Sequence, residues 1–295
     1  MSRIHRALER MKKGAGNASS GITARRSDDL PTMQQSLLRM AHRKAIEITG
    51  ERHKVDEVQL VRRGLLAPLY QALPVADEFR RIKRPLIDNF VKNPGQSRDH
   101  MNLIMVASAL PGAGKTFCSV NLAVSMSLER ELSVLLVDAD VAKPHISDAF
   151  YLGARPGLID ILEDDTLSLD SVLVRTDLND LQILPAGLRH AHATELLASS
   201  RMAAVMHELA SRYSDRIIVM DSPPLLRTSE AQALARQAGQ IALVVESGST
   251  TERQMHAAME LLDPDRAINI IFNKTLYSDV GGYYGGNYGY YRSRE

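Results

Sequence analysis

With a single cysteine, Cys118, the chain cannot close a disulfide within itself, which fits a reducing compartment such as the cytoplasm. Cys118 falls three residues past a lysine that opens a helical pattern, where it reads as a buried structural thiol rather than a redox centre. Long apolar runs are also missing: nothing approaches the roughly 20 residues a helix needs to cross a bilayer. The opening, MSRIHRALERMKK, is basic but has neither the apolar stretch nor the cleavage site of a secretory leader. Excess charge is absent too, the formal net being +1, yet the balance is uneven. Residues 1–63 hold 14 Lys or Arg against 7 Asp or Glu, a net of +7; the remainder holds 22 against 28, a net of −6. A basic arm on an acidic body suits contact with an anionic surface or acidic partner, or plain solvation.

What is present is organised in three parts. Residues 1–74 read as a basic, partly helical N-terminal extension and linker. Ile4, Leu8 and Met11 share one helix face, GAGNASSG at 14–21 is a flexible joint, and 32–63 is charged with little to bury. Residues 75–276 alternate strand and helix. Apolar runs stand at 102–107, 133–137, 181–184, 216–220, 241–245 and 268–272, with helical patterns at 115–130, 194–212, 229–238 and 251–262. Continuous rather than alternating apolar strands imply burial on both faces. The expected fold is therefore three-layer α/β, with a mostly parallel sheet and helices on both sides. Residues 277–295 form a tyrosine-rich tail whose core, GGYYGGNYGYY at 281–291, has nothing from which to build a core and reads as flexible and disordered.

Chemistry concentrates after three of the strands. Ser108-Ala109-Leu110-Pro111-Gly112-Ala113-Gly114-Lys115-Thr116 follows a strand and opens a helix. Its glycines allow backbone N–H groups to close around phosphate oxygens, and the helix N-terminus adds donors and positive potential. Lys115, expected on an exposed loop, would reach the β- and γ-phosphates, and the Thr116 hydroxyl would ligate Mg²⁺. This is a P-loop, although Ala109 stands where the generic pattern begins with glycine. VLLVDAD places Asp138 and Asp140 at the C-terminal end of the second strand, the edge where such sheets bind ligands. They would hold a magnesium shell or accept a proton from an attacking hydroxyl. IIVMDSPP ends a strand in Asp221, a Walker B arrangement. Three carboxylates and one hydroxyl are thus expected at one metal position.

The runs SALPGAGKT, VLLVDADVAKP and IIVMDSPP together resemble the bacterial protein-tyrosine kinases of exopolysaccharide synthesis, P-loop proteins unrelated to eukaryotic kinases. The resemblance covers about residues 75–295. MSRIHRALERM and DADVAKP are similar to the branch found beside exosortase-type polysaccharide loci. It implies ATP and Mg²⁺ as cofactors, with Pro111, Gly112, Ala113, Gly114, Lys115, Thr116 and Phe117 around the phosphates and Asn273 bordering the base. Lys115, Asp138 and Asp140 would be catalytic, and Thr116, Asp140 and Asp221 would hold metal. Tyr283, Tyr284, Tyr288, Tyr290 and Tyr291 would be phosphoacceptors. Glu78, Arg81 and Arg84 match an ExxRxxR helix that packs subunits into a ring. The implied partners are further copies of the chain, a separate membrane polysaccharide co-polymerase as activator at the inner face of the cell membrane, and a protein-tyrosine phosphatase. No nucleic acid is expected.

Departures from the family pattern are Ala142 where Arg is usual, leaving any such role to Lys143, and His192-Ala193 for Asn-Pro, with His192 read as a surface residue. Two other functions compete with an autokinase: an ATPase switch of the partition or cell-division kind, and a non-catalytic nucleotide-binding assembly subunit. Leu110, where those switches carry their signature lysine, and the tyrosine cluster favour the kinase. The intact acidic set speaks against the inert subunit.

Overall fold

The structure, a computed structural model, describes residues 52–67, 73–92, 100–153, 155–212 and 216–275. The helix face of Ile4, Leu8 and Met11, the 14–21 joint and all five tail tyrosines lie outside the described residues.

Seven strands form one sheet: β1 (Leu103–Ser108), β2 (Ser133–Asp138), β3 (Val174–Arg175), β4 (Gln182–Leu184), β5 (Arg216–Asp221), β6 (Gln240–Glu246) and β7 (Ala267–Asn273). Their order is β3-β4-β2-β5-β1-β6-β7. Every pairing is parallel except the short β3–β4 pair. The three-layer α/β expectation holds. Only β3 escaped the sequence reading, because two residues carry no periodicity.

Pleating sends alternate side chains of β1 to opposite faces. Leu103, Met105 and Ala107 join one apolar cluster, and Ile104 and Val106 join the other. The first cluster is closed by Met202, Val205 and Met206 of helix Ser200–Arg212 and by Leu234 of helix Ser229–Gln237. The second is closed by helix Lys115–Ser127, including Cys118, and by Phe79, Leu86 and Ile87 of helix Leu73–Lys92. Cys118 is buried, as expected of a structural thiol, and burial pushes its thiol up to about 12. Lys83 is buried between these two helices; its Nζ donates to the Ser125 carbonyl and pairs with Glu129 at 2.9 Å.

The stretch 52–67, which the sequence reading leaves in the extension, packs onto the sheet domain. Asp56 caps helix Glu57–Arg62 by accepting from the Gln59 N–H. His53 forms an isolated parallel bridge with Thr176, and its Nε2 lies 2.8 Å from the Phe150 carbonyl. Asn121 holds the segment's end, accepting from the Ala67 N–H and donating to the Leu65 carbonyl. Leu60 and Leu66 enter the second core cluster. Charge on four neighbouring positions (Asp56, Glu57, Arg62 and Arg63) masked this single buried stripe. Because Leu60 is 1% exposed, Leu60→Ala should destabilise the domain by about 2–5 kcal/mol through lost transfer energy and a residual cavity. Denaturant unfolding would check this, and an unchanged midpoint would show that the segment is not part of the core.

Candidate active site

The strand order places the C-terminal ends of β2, β5 and β1 side by side, so that Asp138 faces Asp221 in register and Asp221 in turn faces Val106. Residues widely separated in sequence therefore meet at one sheet edge, next to the loop between β1 and helix Lys115–Ser127.

That loop is held from several sides. Gly112 and Gly114 have φ of 89° and 94°, a left-handed conformation that favours glycine. A Cβ on Gly114 would also collide with the Asn273 amide. Asn273 Nδ2 donates to the Ala113 carbonyl at 2.8 Å, and Lys274 Nζ donates to the Gly112 carbonyl and to Glu246, both at 2.8 Å. With these carbonyls engaged from outside, the loop backbone keeps its curved form. Lys115 opens the helix and is 7% exposed, so the expectation of an exposed loop lysine is corrected: the helix turn draws its stem into the domain. Burial pushes its pKa down, opposed by Asp221 and Asp140.

The carboxylates are not equivalent. Asp221 is fully buried; Thr116 Oγ1 donates to its Oδ2 at 2.7 Å and Ser119 Oγ to its Oδ1 at 3.0 Å. Burial pushes Asp221 up to about 6 against these bonds and the charge of Lys115. Asp138 is buried as well. Its Oδ2 accepts from the Ser147 N–H at 2.8 Å and the Ser147 hydroxyl at 2.7 Å, while its buried Oδ1 has no partner among the described residues. Burial and then Asp221 push it up to about 8. Asp140 alone of the three lines the cleft; burial raises its pKa, opposed first by Lys115.

The cleft itself has a volume of about 780 Å³, within the usual range for cofactor-sized ligands. Pro111, Gly112, Gly114, Lys115, Thr116, Phe117 and Asn273 all border it. Gly64 and Leu65 supply part of the wall, which the sequence reading missed because nothing near them carries a motif. Ser119, Ser147 and Lys274 were missed as well: serines are too common to signal, though Lys274 adjoins Asn273 in the chain. Ala113, within the same loop, is buried and does not border the cleft.

Among the described residues no group of three or more His, Cys, Asp or Glu is disposed to hold a metal ion. The three expected carboxylates stand at neighbouring strand ends, with Asp138 opposite Asp221 and Asp140 in the cleft, and Ser147 engages one oxygen of Asp138. The arrangement suits Mg²⁺, which keeps several waters and takes one or two carboxylates plus ligand phosphates. The Thr116 hydroxyl, its proton given to Asp221, keeps lone pairs for a hard cation, and Asp140 stands in the same cleft.

Of the proposed subunit-contact residues, Arg81 is exposed and Glu78 half-buried, while Arg84 pairs with Glu129 of its own chain at 3.4 Å. Lys143 borders the cleft and His192 is exposed. No helix among the described residues is long and apolar enough to cross a membrane.

A phosphate-binding loop on β1 beside an acidic strand end on β5 defines a P-loop nucleotide-binding protein. Comparison with known proteins narrows this. Residues 101–259 match the AAA domain family. Over 189 residues the chain is 32% identical to the tyrosine-protein kinase YwqD of Bacillus subtilis, covering 63% of this chain and 78% of that protein. It is 28% identical to the tyrosine-protein kinase Wzc of Salmonella typhimurium, covering 64% of this chain but 26% of Wzc. The solved BceF tyrosine kinase domain superposes with a TM-score of 0.59 at 26% identity, over 79% of this chain and 96% of that one. The chain belongs to the AAA-domain P-loop proteins and, within them, to the bacterial tyrosine-protein kinases of exopolysaccharide synthesis.

The raised Asp138 pKa has a stability consequence in metal-free, chelator-treated protein. Between the ordinary carboxyl value of 3.8 and the folded value of about 8, the folded state holds a proton that the unfolded state releases. Its contribution is therefore fully present below about 3.8 and is lost as pH rises toward about 8. Asp138→Asn should unfold at a higher temperature relative to wild type at pH 8, with the gap closing near pH 4. Parallel Tm profiles for the two proteins would contradict this assignment.

Proposed function

We propose that the chain is an ATP-dependent tyrosine autokinase whose acceptors are Tyr283, Tyr284, Tyr288, Tyr290 and Tyr291. The observation that carries this reading is the coupling of the phosphate loop to the acidic strand end through Thr116 and Asp221. Phosphoryl transfer asks mainly for positioning and charge neutralisation. The loop N–H groups and Lys115 bind the β- and γ-phosphates, Thr116 and Asp140 with Asp221 hold Mg²⁺, and Asn273 borders the base. Magnesium, when bound, neutralises charge on the transferring group. The tyrosine oxygen forms the new bond to the γ-phosphorus as the bond to ADP breaks. Its proton passes to a cleft carboxylate, for which Asp140 is the better placed because it lines the cleft while Asp138 is buried behind it with one oxygen held by Ser147. Asp138 acts in this reading through the strand-end loop it anchors.

The acceptor tail belongs to a neighbouring copy in a ring held by Glu78, Arg81 and Arg84, whose forks suit carboxylates across an interface. Each phosphate adds roughly −1.5 to −2 charge, so accumulated phosphate on the tail loosens the ring and a protein-tyrosine phosphatase restores it. Mixing a Lys115→Met chain that keeps its tail with an active chain lacking residues 281–295 should label the inactive chain. The same mixture carrying Glu78→Ala, Arg81→Ala and Arg84→Ala together should label it several-fold more slowly. No label on the inactive chain, while the intact active chain labels itself in a parallel reaction, would overturn transfer between copies.

The activator in this reading is a separate membrane polysaccharide co-polymerase, met at the inner membrane face through the basic N-terminal region, and the output is control of exopolysaccharide synthesis or export. Because Leu60 belongs to the core, the informative truncation removes residues 1–50 and not 1–63. It should keep basal ATP hydrolysis and lose membrane recruitment in a flotation assay; full recruitment of the truncated chain would sink this contact.

A further inference from the structure

Tyr151 is the sole tyrosine among the described residues; the other eight, at 70, 213, 277, 283, 284, 288, 290 and 291, lie outside them. Its neighbours Phe150 and Leu152 are buried, yet Tyr151 is 59% exposed. The chain achieves this by placing Tyr151 at φ 56°, a left-handed conformation that is rare for a bulky residue and persists only where the surroundings impose it. Here they do: the Tyr151 N–H donates to the Asp148 carbonyl at 3.3 Å and the Leu152 N–H to the Ser147 carbonyl at 2.7 Å. The strained turn thus presents one phenol to solvent. Its hydroxyl makes no hydrogen bond among the described residues, so folding does not use it.

What it does touch is a cation. The Arg63 guanidinium carbon lies 5.3 Å from the Tyr151 ring centroid, a cation–π distance, while Arg63 Nη1 donates to the Asp148 carbonyl at 3.1 Å. Arginine binds a phosphate dianion through two parallel N–H bonds, and Arg63 already rests against the ring that would carry the ester. Arg63 is thus the cation beside this phenol and the counterion that such a modification would use. Arg63 directly precedes Gly64 and Leu65, two residues of the nucleotide cleft wall.

We propose that Tyr151 is an additional phosphoacceptor of this kinase, on the folded domain rather than the tail, with Arg63 as the receptor of its phosphate. The inference rests on the autokinase reading above. Tyr151 does not line its own chain's cleft, so a second copy supplies the phosphoryl group. The Tyr151 oxygen bonds to the γ-phosphorus of ATP held by that copy, the bond to ADP breaks, and the phenolic proton leaves to a carboxylate of the donor cleft.

The test mixes an active Tyr151→Phe chain with a Lys115→Met chain, both full length, in ATP and Mg²⁺, and maps phosphate by peptide mass spectrometry. Only the inactive chain then carries Tyr151. Phosphate on Tyr151 of that chain supports the proposal. Phosphate on tail peptides with none on Tyr151 overturns it while leaving the autokinase reading intact; no phosphate on any peptide overturns both. Separately, the phosphorylated wild-type protein should melt about 2–4 °C higher than phosphorylated Tyr151→Phe, the gain expected from a charge-assisted pair. Arg63→Gln should remove that gain, and its persistence would exclude Arg63 as the receptor.

Discussion

The bond from Thr116 to Asp221 joins the two halves of the site. One partner opens the helix after the phosphate loop and the other ends the strand beside it. Asp221 has no solvent, so its charge depends on Thr116, Ser119 and Lys115 for stabilisation. The sheet order makes this possible by seating β5 between β1 and β2. Remove that adjacency and the loop, the acidic strand end and the buried lysine would have no common centre. The arrangement is a charged cluster held at the sheet edge by the same parallel pairing that builds the core.

Much of this was legible in the sequence because the residues involved are confined to short, contiguous patterns. Apolar runs of five or six gave β1, β2, β5, β6 and β7 to within a residue or so at most ends: the first four are buried on both faces, while the edge strand β7 showed itself by its isoleucines although its side chains are largely half-exposed. The glycines and Lys115-Thr116 marked the phosphate loop, because few other jobs require left-handed residues between a strand and a helix. What the sequence hid are contacts between ordinary residues far apart in the chain. Ser147 holding Asp138, Asn121 gripping the 65–67 backbone and Lys274 reaching Gly112 each depend on tertiary proximity alone. The stretch around Leu60 was misjudged for a related reason: one buried leucine on a single short helix is too sparse to register as a periodic face. The unequal surroundings of Asp138 and Asp140 were hidden on similar grounds, as spacing shows that two carboxylates are near each other but not which one lines the cleft.

Burying these carboxylates also costs the domain stability. Asp138 and Asp221 both have folded pKa values well above the ordinary carboxyl value, and Lys115 is depressed by the same burial. A domain organised this way trades some of its own stability for a preformed, water-poor edge at which charge developing on a ligand meets fixed dipoles. Ligand binding then returns stability by mass action, in proportion to nucleotide concentration. Hence occupancy and stability rise and fall together.

Lys274 directly follows β7, and it fastens Gly112 from outside the loop. Its one ammonium group also holds Glu246 at the end of β6, so a shift of Lys274 breaks both bonds in one movement. The end of β7 thus acts as a latch: a displacement there reaches the phosphate loop without passing through the core of the sheet.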